Sequence, residues 1–241
     1  MMGARRGTVE AVWRALGGEP RIDLARHTIA LDFADGVLTM EGEVAEVAAK
    51  KLALERAASV EGVRHIVDRL RVHPARSMTD AEIRDHLCDA LLGEPVFQHC
   101  AVRCRHAGRP RSLREPPGGV GQIEVEISGG VVTLSGEVPS LAHKRLAGVL
   151  AWWVPGTRDV VNGLEVAPPE ADSDDEIADA VRIALEKDPL LDQAGIRVGA
   201  RGSVVTLEGR VPSEPQRHMA EADAWCVFGV DAVVNRLQFR A

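Results

Sequence analysis

The sequence predicts an α+β protein of three tandem small modules. Each is ordered helix–strand–strand–helix–strand, with a three-stranded mixed sheet covered by two helices. Two observations carry this. One phrase occurs three times, as GVLTMEGEV at 36–44, GVVTLSGEV at 130–138 and SVVTLEGRV at 203–211. The residues after it then recur in register: from Gly42, Gly136 and Gly209 a second glycine follows 20 positions on, at Gly62, Gly156 and Gly229. Asp68, Asn162 or Asn235 comes next, then Leu70, Leu164 or Leu237, with no gap in any copy. Self-similarity over so long a stretch marks a repeat architecture.

The first element of each copy is a helix ending near Pro20, Pro95 or Pro189. Ile83, Leu87 and Leu91, and likewise Ile177, Val181 and Leu185, recur every four residues, the spacing of one helix face. Thr79-x-x-Glu82 and Ser173-x-x-Glu176 read as capping boxes, absent from the first copy. The recurring phrase alternates, with Val132, Leu134 and Val138 on one side and Thr133 and Ser135 on the other, as in a strand with one buried face. IALDF at 29–33 and IEVEI at 123–127 precede turn glycines and predict hairpins. Gly136 falls on the buried side, where the missing side chain is expected to let a helix approach the sheet. A second helix with Ala53, Ala147 or Ala220 on its inner face is expected to end at the later glycine in a left-handed cap. The last strand, parallel to the second, completes a right-handed crossover.

Boundaries are expected at His73–Met78 and Ala167–Ser173, giving modules over 4–73, 78–167 and 172–241. The second is longer: 41 residues separate Pro95 from Gly136, against 20 from Pro189 to Gly209. The extra residues fall near 101–121, a Pro-, Gly- and Arg-rich stretch expected to form a surface excursion.

Composition narrows the function. A net charge of −7 and 3% aromatic residues argue against a general nucleic-acid binder. No run of about 18 apolar residues would span a bilayer, and MMGARRGTVEAVWRALGGEP lacks the apolar core of an export leader, so a cytoplasmic location is expected. Four cysteines do not suggest a disulfide scaffold. No nucleophile elbow, P-loop, HExxH or dinucleotide fingerprint is present, so no catalytic residue is assigned.

The Ile-x-x-x-Val/Leu-x-x-x-Leu helix, the Asp-Pro, Gly-x-Val-x-Leu-x-Gly-x-Val, the Gly-Val turn and Val-Val-Asn-x-Leu-x-Val together resemble the BON domain of bacterial envelope and stress proteins. The third copy resembles it most, and Asp68 replaces Asn in the first. The resemblance implies two helices on one face of a three-stranded sheet. It also implies non-enzymatic roles: phospholipid contact, envelope maintenance and response to osmotic shock. Cytoplasmic relatives include a potassium-binding protein.

Candidate sites remain in several places. Asn162 and Asn235, with Asp68, either contact a ligand or bond buried backbone near the turn. His99, Cys100, Cys104 and His106 offer zinc ligands, or the cysteines are buried or incidental thiols. Arg103, Arg105, Arg109, Arg111 and Arg114 make the inserted segment basic, able to meet phosphate head groups or an acidic partner, or to remain a solvated loop. Trp152 and Trp225, at equivalent positions, form an interfacial anchor or cover the edge of a small core. Two functions follow: a non-enzymatic protein contacting phospholipid or a macromolecular partner, or a cytoplasmic sensor of potassium or another metal ion. A structural spacer of stacked modules is a third.

Overall fold

A two-residue hairpin turn of one kind recurs in each module. In Asp35-Gly36, Gly129-Gly130 and Gly202-Ser203 both residues have positive φ, between 50° and 82°. Such primed turns match the twist of the flanking strands, and Gly and Asp tolerate the left-handed region. The computed structural model describes residues 2–106 and 109–239, with the side chains of residues 2–4 and 106 outside the description.

The first unit, Met1–His73, is a module by itself. It comprises α1 (Met2–Gly17), β1 (Ile29–Ala34), β2 (Val37–Val44), α2 (Val47–Ala58) and β3 (His65–Val72). The sheet order is β1-β2-β3, with β2 antiparallel to β1 and parallel to β3.

The second unit, Pro74–Ala241, holds the other two modules. The second module runs α3 (Asp80–Gly93), β4 (Cys100–His106), β5 (Arg109–Arg114), β6 (Gly121–Ser128), β7 (Val131–Val138), α4 (Leu141–Trp153) and β8 (Asp159–Val166). The third runs α5 (Asp174–Lys187), β9 (Ile196–Arg201), β10 (Val204–Val211), α6 (Glu214–Cys226) and β11 (Ala232–Phe239). Thr79 makes a full capping box with Glu82, and the Ser173 hydroxyl accepts the Glu176 N–H. The first helix then grips the hairpin turn: Asp80 accepts the N–H groups of Gly129 and Gly130, and Asp174 that of Gly202.

Three expectations are corrected. The stretch near 101–121 is no surface excursion. It adds β4 and β5 to a five-stranded sheet of order β5-β4-β6-β7-β8. Cys100, Val102 and Cys104 point into the core while Arg103 and Arg105 point away, an alternation that the Arg-rich composition concealed. The phrase glycine also serves a different purpose. Gly42, Gly136 and Gly209 have φ of 145°, 117° and 130°. A Cβ there would lie 2.1, 2.3 and 1.9 Å from the carbonyl oxygens of Thr28, Gln122 and Gly195 on the facing side of the hairpin. The close neighbour is the backbone at the start of the facing strand, not the second helix. The later glycines lie beyond the helix ends rather than capping them. Gly62 and Gly229 have positive φ, whereas Gly156 makes room for Met78 and Ile83.

Helix α4 joins two cores. Leu146, Ala147, Leu150 and Ala151 pack into the second module, while Val149 is buried in the core of the third and Trp153 touches both. Around that contact Arg145, 2% exposed, donates to the Phe228 carbonyl (3.0 Å) and to both oxygens of Asp172 (2.5 and 2.7 Å). Trp153 Nε1 donates to Asp223 Oδ1 at 2.8 Å, and Lys187 Nζ to Glu94 Oε2 at 2.8 Å.

Candidate functional site

The Asx position is built the same way three times. Asp68, Asn162 and Asn235 each accept, through Oδ1, the N–H of the leucine two residues on, at 2.9, 3.4 and 3.1 Å. Asn162 and Asn235 turn their amide N–H toward the second helix and donate to the carbonyls of Lys144 (2.8 Å) and Arg217 (3.0 Å). An aspartate has no such donor. In the first module the link is made by Lys50, whose buried Nζ pairs with Asp68 (2.9 Å) and donates to the Leu70 carbonyl (2.8 Å). These side chains tie the last strand to the second helix.

His99, Cys100 and Cys104 do not surround a common point. Both cysteines are buried in the core, whereas His99 is exposed, and among the described residues no group of three or more His, Cys, Asp or Glu could hold a metal ion. The side chain of His106 lies outside the described residues. Sequence inspection missed the proximity of Cys88 to Cys104. Burial, and then Cys104, push the Cys88 thiol up to about 12, so it stays protonated and unreactive near neutrality.

The inserted arginines are mostly engaged. Arg103 pairs with Glu115 at 2.8 Å and Arg105 with Glu124 at 2.6 Å. Arg114 donates to the carbonyls of Cys100, Leu92 and Phe97, satisfying a carbonyl in the last turn of α3. Arg109 and Arg111 remain exposed. Trp225 is buried, 3% exposed, and so is not offered to a membrane surface in this fold; Trp152 is half-buried.

The accessible surface is the open face of each sheet. With two helices on one face, the alternate strand residues on the other point outward. Val67, Val161 and Val234, equivalent in the three copies, are 40%, 51% and 39% exposed there. Their surroundings differ in charge. In the first module Glu41 is paired with Arg69. In the second, Glu137 and Glu165 stand opposite each other on β7 and β8, both exposed. In the third, Arg197, Arg201, Arg210 and Arg236 share the face with Glu208, which pairs with Arg236 (3.2 Å) and approaches Arg197 (3.9 Å). Arg201 and Arg210 make no ion pair among the described residues. Most other acids of this module lie on the helices instead, Asp174, Asp175, Glu176 and Asp179 on α5 and Glu214, Glu221 and Asp223 on α6.

Fold and surface define a class: a tandem array of small α+β modules that cover one sheet face and present the other. The BON domain model matches residues 8–74, 114–168 and 173–241. The chain belongs to the BON domain family. Two solved structures of CdsD, a structural protein of the type III secretion system of Chlamydia trachomatis, are similar at 14% identity. For its C-terminal domain 97% of each chain is covered with a TM-score of 0.26; for the other, 96% of this chain and 91% of that one with 0.25. No curated protein matches the chain significantly. Among the described residues no helix is long and apolar enough to cross a membrane.

Proposed function

We propose that the chain is a non-enzymatic binding protein that docks an anionic surface, with phospholipid head groups as the lipid form of that surface, through the open sheet face of its third module. The observation that carries this reading is the segregation of charge within one small module. Four arginines sit on the sheet face with one glutamate, while most of the other acids lie on the two helices of the covered side. Guanidinium groups form paired, charge-assisted hydrogen bonds with phosphate and carboxylate. On a flat, partly apolar face centred on Val234 they would meet an extended anionic surface rather than enclose a small ligand. The inserted segment contributes less, since Arg103, Arg105 and Arg114 already have partners.

Co-sedimentation with vesicles containing phosphatidylglycerol tests the lipid form. Full-length protein should pellet with these vesicles and not with phosphatidylcholine alone, and Arg210→Glu with Arg236→Glu should release it. Substituting Arg109 and Arg111 should have less effect. Equal pelleting of wild type and the double variant would overturn the assignment to this face.

A further inference from the structure

The groove at the phrase glycine occurs in both modules of the second unit, built from equivalent positions. In the third module, Gly195, Arg197, Glu208, Gly209, Arg210 and Arg236 line a shallow concavity of ≈ 580 Å³. In the second, Gln122, Ser135, Gly136, Glu137, Gly163 and Glu165 line one of ≈ 710 Å³. The shapes correspond and the charges are opposed. Glu137 occupies the position of Arg210, each directly after the phrase glycine, and Glu165 on β8 that of Gln238 on β11.

Each groove carries charge that its own module leaves unbalanced. Glu137 and Glu165 are direct partners in the β7–β8 register, and like charges placed opposite each other destabilise a sheet. Neither makes an ion pair among the described residues. Arg210 stands opposite the neutral Gln238 and is likewise unpaired. An exposed valine lies on each face, Val161 and Val234.

We infer that a second copy of this chain is a partner of the third module, docking its acidic second-module groove on the basic third-module groove. The inference rests on the reading that the open face of the third module is the docking surface, and it names the anionic surface. The contact is heterologous: one face of a copy meets a different face of the next. Repetition therefore yields rings or open chains rather than a two-fold dimer. Association of this kind is driven by complementary potential and weakens with salt.

Sedimentation velocity of the full chain over a wide concentration range, at low and high salt, tests this. Wild type should gain mass with concentration at low salt and lose it at high salt. Arg210→Glu and Glu137→Arg, both on exposed strand positions, should each weaken association more than about tenfold. An equimolar mixture of the two variants should associate again, because each supplies the charge that the other inverted. Unchanged thermal midpoints would show that both variants fold. A wild type that stays monomeric throughout, single variants that associate like wild type, or a mixture that stays monomeric would each overturn the inference. Vesicle binding separates it from the broader reading. A monomeric chain that still pellets with anionic vesicles in an Arg210-dependent manner removes self-docking and leaves the face assignment standing; loss of Arg210 dependence in both assays removes both.

Discussion

Asp223→Asn should stabilise the protein above neutral pH and leave it unchanged in acid. Asp223 is 5% exposed. Its Oδ1 accepts from the Trp153 indole across the contact between the second and third modules, and its Oδ2 is buried with no hydrogen-bond partner among the described residues. Burial foremost, and then the negative charge of Asp188, raise its pKa from 3.8 to about 7, while the indole hydrogen bond acts against them. A raised acid pKa means that the folded chain keeps a proton that the unfolded chain releases. The contribution to stability is therefore complete below pH 3.8 and is lost as the pH rises to about 7. At about 1.4 kcal/mol per pH unit, a window of about three units sets a ceiling of about 4 kcal/mol. Asparagine keeps the acceptor for Trp153, carries no charge, and offers Asp188 an N–H. Urea unfolding followed by tryptophan fluorescence should find the variant more stable by roughly 2–4 kcal/mol at pH 8. The two proteins should converge near pH 4. A difference that does not vary with pH, or a variant less stable at pH 8, would refute the assignment of a buried, proton-bearing carboxyl.

Three further outcomes are expected. Gly209→Ala places a methyl group 1.9 Å from the Gly195 carbonyl oxygen at a φ of 130° and should cost about 2–4 kcal/mol in thermal or urea unfolding. Asp68→Asn leaves the buried Lys50 ammonium without its counter-charge and should destabilise the first module by about 1–3 kcal/mol. Adding Lys50→Leu should recover part of that loss, because the asparagine can then bond the helix carbonyl as Asn162 does, and a double-mutant cycle on urea midpoints measures it. Arg114→Ala frees the carbonyls at the end of α3 and should lower stability by about 1–3 kcal/mol without changing vesicle binding, whereas Arg210→Glu should do the reverse.

The three-module plan was legible because period-two and period-four patterns survive wherever one face of an element is buried, as in Val132-Thr133-Leu134 and Ile177–Val181–Leu185. β4 was not, because its outward positions are Arg103 and Arg105 and its inward ones Cys100 and Cys104, a pair that suggests ligands before it suggests a core. The docking of the second module on the third left one signal that was not used. Residues 146–154, LAGVLAWWV, are apolar around the whole helix, and such a helix is buried on more than one side. The open-face charges leave no periodic signal, since exposed positions accept any residue; only superposing the copies sets Glu137 against Arg210. The carbonyl contacts of Arg114 and Arg145 are likewise silent in sequence, because the partner atom belongs to every residue.

Because α4 serves two cores, the loop after Val166 is a poor place to divide the chain. A fragment ending there would bring Val149, Trp153 and a stranded guanidinium into water, and the remainder would lose a wall of its interior. Shuffling single repeats by recombination would thus yield sticky halves. Pro74–Ala241 should instead be inherited, expressed and degraded as one indivisible piece, with Met1–His73 free to be gained or lost on its own.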